Sequence, residues 1–210
     1  MILQYILFDL DNTLYSSRYG LEMKVSQRIA EFLTAYLGGS QEEALRQRRE
    51  GMHYYGTTLE WLMAEKGYTD IEAYYQAIHP AGEADTLSAD PELRRFLESL
   101  PLPQAILTNS PREHADRILS KLGISDLFTH IFDMRWNGFK GKPHAEVFHR
   151  ALHALGTTPE TTLFIDDAPR YVKGFCALGG SGLLIDEENA YPEYPYPRIQ
   201  DLRELLRFLY

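Results

Sequence analysis

Residues 2–13, ILQYILF-DLDNT, decide the fold: an apolar run from Ile2 to Phe8 meets Asp9-Leu10-Asp11-Asn12-Thr13 without a break. A short apolar run closed by acidic and turn-forming residues reads as a buried strand with polar chemistry at its carboxyl end. Similar runs recur at Gln104–Leu107 (after Pro101 and Pro103), Ile131–Met134, Thr162–Ile165 and Gly182–Ile185. Helix-length segments separate them.

Strands alternating with helices predict an α/β fold, a Rossmann-like parallel sheet with helices on both faces. The spacing is uneven. Nearly a hundred residues lie between the first run and the second, whereas a simple crossover needs only a few tens. The excess reads as an all-helical cap inserted after the first strand. Leu21, Val25, Ile29, Phe32 and Tyr36 form one amphipathic stripe, and further helices are predicted over 41–51, 57–66 and 70–78. The expected domains are a core of residues 1–14 and 90–210 and a cap of 15–89. Ser110-Pro111 with Glu113 reads as a capping box with proline at the first helical position. Lys142-Pro143 is expected to start a helix carrying Val147, Phe148, Ala151 and Leu155, and 199–209 to form the last one. The proline-punctuated stretch 191–197 reads as an extended connection.

The chain has 210 residues, enough for a real core, with 44% hydrophobic and 24% charged residues. Lys plus Arg is 21 against 30 Asp plus Glu, a net charge of −9, which argues against nucleic-acid or anionic-membrane binding. The single cysteine, Cys176, allows no internal disulfide and excludes a cysteine-based zinc site. Ile2–Phe8 has no basic flank and is too short for a signal peptide or a membrane span. A soluble cytoplasmic protein is expected, and oligomeric state is not legible.

In open parallel sheets ligands bind beyond the carboxyl ends of the strands. The first run ends in Asp9 and Asp11, the second in Thr108-Asn109-Ser110, and the fourth in Asp166-Asp167. Four carboxylates converging there repel one another unless a cation or a shared proton compensates. Oxygen ligands without His or Cys point to a hard ion, Mg²⁺ first. A basic group for an anionic substrate comes from Gly138-Phe-Lys140-Gly-Lys142-Pro143. Lys142, beside the proline, is the first candidate and Lys140 the second.

These residues resemble the haloacid dehalogenase-like (HAD) superfamily of aspartate-nucleophile phosphotransferases. Asp9-Leu-Asp11-Asn-Thr13, Thr108, Lys142 and Asp166-Asp167 match its four motifs in order, and the insertion is similar to a C1-type cap. A narrower resemblance, to the pyrimidine 5′-nucleotidase branch, rests on 11–15, Tyr54-Tyr55-Gly-Thr-Thr-Leu59, Thr108-Asn109, 122–128 and 164–167. Trp61 and Tyr171 depart from that branch, which often has Gly and Asn there. The resemblance implies an α/β hydrolase that uses Mg²⁺ to cleave a small phosphate ester, a nucleoside monophosphate first. Asp9 would be the nucleophile and Asp11 the general acid and then base, for which its pKa should be raised. Thr108, Asn109 and Lys142 would bind phosphate. Asp9, Asp11 (by its carbonyl), Asp167 and Asp166 would serve the metal. A dehalogenase, by resemblance, lacks the second aspartate.

Tyr54, Tyr55 and Trp61 are candidates for stacking a base, against the alternative that they are cap core. Arg46, Arg48 and Arg49 could steer an anion or form a solvated helix face. His149 and His153, four apart, read as a surface pair, and His114 as an exposed helical residue near the site rim. Gly179-Gly180-Ser181-Gly182 stands in the wrong order for a phosphate loop and reads as a connection. Two rival functions stay open: a phosphatase or mutase acting on a sugar phosphate or other small metabolite, and a non-catalytic binding protein.

Overall fold

Side chains alternate across a strand, so a strand buried on both faces must be apolar throughout, as 6–8 and 105–107 are. The computed structural model describes residues 2–209. Strands β1 (Tyr5–Phe8), β2 (Gln104–Leu107), β3 (Ile131–Phe132), β4 (Thr162–Asp166), β5 (Ser181–Ile185) and β6 (Arg198–Ile199) form one parallel sheet in the order β3-β2-β1-β4-β5-β6. β1 therefore sits between β2 and β4, with Phe8 opposite Ile106 on one side and Ile165 on the other. This register brings the carboxyl ends of the three strands that carry Asp9, Thr108 and Asp166 side by side.

Between β1 and β2 lie α1 (Leu21–Leu37), α2 (Gln41–Gly51), α3 (Thr58–Lys66), α4 (Ile71–Ile78) and α5 (Pro91–Glu98). α6 (Arg112–Leu122), α7 (Ala145–Leu155) and α8 (Pro169–Cys176) follow in the later crossovers. Ile6, Phe8, Ile106, Leu163 and Ile165 pack with Leu93 and Leu97 of α5 and Ile118, Leu119 and Leu122 of α6. Leu7, Ala105, Leu107 and Phe164 pack on the other face with Val147, Phe148 and Leu152 of α7 and Phe175 of α8. Both faces are thus covered, as the alternation requires.

Helices α1–α4 hold a cluster of their own around Ile29, Leu33, Leu59, Trp61, Tyr74 and Ile78. Met134 and Phe139, from the loop after β3, pack against it. Tyr15, Leu21, Ala84 and Leu87 belong instead to the sheet's core, so the separately packed block is narrower than 15–89. Tyr36, expected on the buried stripe, is largely exposed, and Leu33 fills the core in its place.

Three local expectations are corrected. α6 starts at Arg112 with Pro111 as its N-cap residue, and Asp133 Oδ2 accepts from the Arg112 N–H at 3.1 Å. Ser110 is thereby freed from capping. α7 starts at Ala145, so Lys142-Pro143 lies in the loop before it. The stretch 199–209 opens as β6 and continues as a 3-10 helix, Leu202–Phe208. Asp186 imposes this: its carboxylate accepts from the N–H groups of Ala190 and Tyr191 and from Arg198, folding the connection back so that Ile199 pairs with Ile185.

The rings of Phe148, Phe164 and Phe175 meet with centroids 5.2–5.3 Å apart under the sheet. Phe175→Ala should cost about 3–5 kcal/mol of stability. Urea unfolding should show a lower midpoint with an unchanged slope; a loss under about 1 kcal/mol would mean the gap refills.

Candidate active site

Backbone pairing carries the first aspartate just past the end of its strand: the Asp9 N–H donates to Ile165 O at 2.8 Å. The chain then turns sharply at Asn12, which takes a left-handed φ of 54°. Thr108 follows β2, with its N–H on Phe132 O. Asp166 ends β4 and Asp167 follows it.

Lys142 joins these strand ends. Its ammonium is fully buried and lies 2.5 Å from Asp9 Oδ1 and 2.5 Å from Asp166 Oδ2. Lys140 is exposed and pairs with Glu146, so it does not enter the site. Asn109, at the cavity's edge, turns its amide onto the lysine. Its Oδ1 accepts from the Lys142 N–H at 2.7 Å and its Nδ2 donates to Lys142 O at 3.1 Å, a two-point clamp on the lysine's backbone. The Thr108 hydroxyl accepts from the Ser110 N–H at 3.0 Å and keeps its own proton to donate.

One ammonium faces three carboxylates. Oxygens of Asp9, Asp166 and Asp167 lie within 4.8 Å of one another. Burial pushes the Asp9 carboxyl well up; Lys142 opposes this, and Asp166, Asp167 and Asp11 add to it. Burial, then the charges of Asp166 and Glu22, push Asp167 up to about 8. These are the marks of uncompensated negative charge, which a cation relieves. An all-oxygen donor set suits a hard divalent ion. Both oxygens of Asp166 are already engaged, by Lys142 and by the Ala168 N–H. Among the described residues, Asp167 accepts only from Asn12.

Asp11 stands apart from this cluster. Its Oδ1 accepts from Tyr15 Oη at 2.5 Å and meets His114 Nε2 at 2.7 Å, and its Oδ2 accepts from Ser110 Oγ at 2.9 Å. Burial would raise this carboxyl, but the charge and hydrogen bond of His114, with the Tyr15 hydroxyl, hold it well below the usual carboxylate range. The expected raised pKa is therefore not found. Its partner is pushed the other way: burial lowers His114, yet Asp11 and Glu83 push it up to about 10. Sequence reading placed His114 on an exposed face, whereas it is 1% exposed. The missed signal is that His114 is four residues from Ile118, on the buried stripe of α6. Nothing in the sequence marked its further partners, Glu83 and His79.

A cavity of about 730 Å³ opens above Asp9, Asp11, Thr108, Asn109 and Asp167. Tyr74, Tyr75, Arg48 and Arg49 of the cap line it, with Arg170 and Tyr171 of α8. Tyr54, Tyr55 and Trp61 do not. Tyr54 is 76% exposed, Tyr55 packs on the cap cluster, and Trp61 is fully buried against Gly51, where a Cβ would fall 2.5 Å from its ring. Arg46 points away, paired with Glu43 and Glu50. Arg48 is half-buried, with its Nε donating to Thr58 Oγ1. Glu60 Oε2 accepts from the Gly56 and Gly141 N–H groups, and Arg170 donates to Gly56 O, tying the cap to the Lys142 loop. His149 and His153 are exposed on α7.

A protein-family model described as haloacid dehalogenase-like hydrolase matches residues 3–179. Among curated relatives, Phosphate metabolism protein 8 of Saccharomyces cerevisiae is 28% identical over 82% of this chain and 58% of its own length. The chain thus spans little more than half of that relative. Validoxylamine A 7′-phosphate phosphatase of Streptomyces hygroscopicus subsp. limoneus is 27% identical over 78% of this chain and 76% of its own. Among solved structures, the L-2-haloacid dehalogenase RSc1362 superposes with a TM-score of 0.66 at 21% identity, over 100% of this chain and 99% of the other. That likeness is one of fold. No helix among the described residues is long and apolar enough to cross a membrane.

The elevated carboxyl of Asp167 has a measurable consequence. A folded-state pKa raised to about 8 means the folded chain binds that proton more tightly than the unfolded one. The stabilisation is full below the ordinary carboxylate value of about 4 and is lost as pH rises through about 8. In EDTA, Asp167→Asn should gain Tm over the wild type as pH climbs through this window. A Tm difference independent of pH would contradict the assignment.

Proposed function

Because this chain belongs to the haloacid dehalogenase-like hydrolase family, we propose that it is a Mg²⁺-dependent phosphomonoesterase working through an aspartyl-phosphate, and that its substrates are pyrimidine nucleoside 5′-monophosphates. The observation that carries the reading is Asp11, seated at the cavity floor two residues from Asp9 and gripped by Tyr15, Ser110 and His114. A dehalogenase needs only the nucleophile. Fold likeness to one is silent on this point, and the second aspartate favours phosphoryl transfer.

Asp9 attacks phosphorus in line, held by Lys142 and by the Thr13 hydroxyl at 3.4 Å. Lys142 opposes the charge that nucleophile and phosphate bring together. The Thr108 hydroxyl donates to a phosphoryl oxygen. Asn109 acts indirectly, by fixing the Lys142 backbone. Asp9, Asp167 and the Asp11 carbonyl would hold Mg²⁺, which supplies positive charge against the phosphoryl oxygens. Asp166 serves by orienting Lys142. Asp11 passes the transferable proton to the leaving alcohol, with its carboxylate fixed by His114 across a 2.7 Å contact.

The size of the cavity suits a nucleotide-sized ligand. Tyr74, Tyr75 and Tyr171 offer the aromatic faces first sought in Tyr54, Tyr55 and Trp61, and Arg48 offers donors for carbonyl oxygens. A second reading, a small phosphometabolite, is favoured by the name of the Streptomyces relative, a phosphatase of validoxylamine A 7′-phosphate. The half-buried, unpaired Cys176 fits a reducing compartment such as the cytoplasm.

Phosphate release at neutral pH with Mg²⁺ tests the proposal across UMP, CMP, dUMP, AMP, GMP and a panel of sugar phosphates. UMP and CMP should lead. EDTA should abolish release, and Asp9→Asn should bring it to background. A sugar-led profile would transfer the assignment to the second reading. Wild-type turnover by Asp9→Asn would overturn the nucleophile, and no release from any ester would overturn the phosphomonoesterase.

A further inference from the structure

We propose that His114 is a positioning residue for Asp11, and that Glu83 in turn fixes His114; the inference rests on the phosphomonoesterase reading above. His114 is the only ring that bridges two carboxylates among the described residues: Nε2 lies 2.7 Å from Asp11 Oδ1 and Nδ1 lies 2.8 Å from Glu83 Oε1. Glu83 is itself held on both oxygens. Its Oε2 lies 2.8 Å from His79 Nδ1, and its Oε1 accepts from Arg117 Nη2 at 2.6 Å and Nε at 3.2 Å. Arg117 Nη2 also donates to His79 O at 3.0 Å. His79, Glu83 and His114 are all buried.

The placement of these groups gives the chain a purpose. His79 is the C-cap residue of α4, and Glu83 lies in the turn that leads the chain from the cap back to the sheet. The return segment of the cap therefore reaches under the site and sets the ring that holds the acid/base carboxyl. His79, Glu83 and His114 are also close enough to ligate a metal. Arg117 argues against that use, since its positive guanidinium already pairs with Glu83 Oε1.

In the step concerned, an Asp9 oxygen bonds to phosphorus and the bond from phosphorus to the ester oxygen breaks. The electron pair stays on that oxygen, which takes the proton delivered by Asp11. In the second step water gives a proton back to Asp11 as its oxygen bonds to phosphorus. The aspartyl–phosphorus bond breaks and Asp9 is restored as a carboxylate. A misplaced Asp11 should hurt most where the departing oxygen is a strongly basic alkoxide, and least where it leaves as a stable aryl anion.

The experiment compares kcat/KM, which reads the steps up to release of the alcohol, on UMP (an alkyl phosphate) and on 4-nitrophenyl phosphate. For His114→Leu the expected loss is about 100-fold on UMP and under about tenfold on the aryl ester, within the range of general acid catalysis. His114→Gln, which keeps a donor toward Asp11, should recover most of the UMP activity. Glu83→Gln should show the same pattern more weakly, and carries the test if His114→Leu does not fold. Equal losses on the two esters would overturn the positioning role, as would full UMP activity in His114→Leu. A wild type inert toward both esters and toward the sugar phosphates would overturn the phosphomonoesterase reading itself, and the inference with it; if only a sugar phosphate is cleaved, it takes the place of UMP as the alkyl ester.

Discussion

The buried ammonium of Lys142, 2.5 Å from both Asp9 and Asp166, is the contact on which the rest of the site depends. It ties the end of β1 to the end of β4 through a loop that neither strand contains. Taking one partner from such a buried pair leaves an uncompensated charge, at a cost of about 3–5 kcal/mol. The loop must therefore be held, and it is held from three sides. Asn109 clamps the Lys142 backbone, Asp133 accepts from Trp136 within the loop and from the first turn of α6, and Glu60 reaches over from the cap to Gly141. Close approach also shapes this contact. A Cβ on Gly56 would stand 2.6 Å from Gly141 O.

Asp9 and Asp11 lie two residues apart on one turn, yet their surroundings push them in opposite directions. Asp9 is buried beside two other carboxylates and is raised, whereas Asp11 rests against the His114 ring and two hydroxyl donors and is lowered. Paired titratable groups driven apart in this way suit division of labour between a nucleophile and an acid/base. The upward push that resemblance alone would put on Asp11 falls on the neighbouring ring. The setting of Asp11 then depends on how that ring is held, and so on the chain's return from the cap.

The cap roofs the cavity with residues that are not the ones its sequence advertises. Trp61 and Tyr54 stand out as aromatics, but helix packing sends one into the cap interior and the other to solvent. Tyr74 serves both purposes: one side packs at right angles on Phe32, with centroids 5.0 Å apart, and it also lines the cavity. Composition identifies aromatic residues; only the crossing of α1 against α4 decides which of them meet a ligand.

By itself the sequence determined the parallel sheet, the helical insertion, and the strand ends where Asp9, Thr108 and Asp166-Asp167 stand. These follow from local runs of apolar residues and the polar residues that close them, which a strand buried on both faces must show. It also ranked Lys142 ahead of Lys140. It could not supply His114, Glu83 and His79, the choice of cavity aromatics, the sixth strand or the true start of α6. Those depend on contacts between residues 21 to 103 positions apart, such as Arg112 with Asp133, Glu83 with His114 and Asp11 with His114, or on a side chain such as Asp186 folding a distant segment back. A local pattern records which face of an element is buried. What that face meets is decided only when the elements are packed.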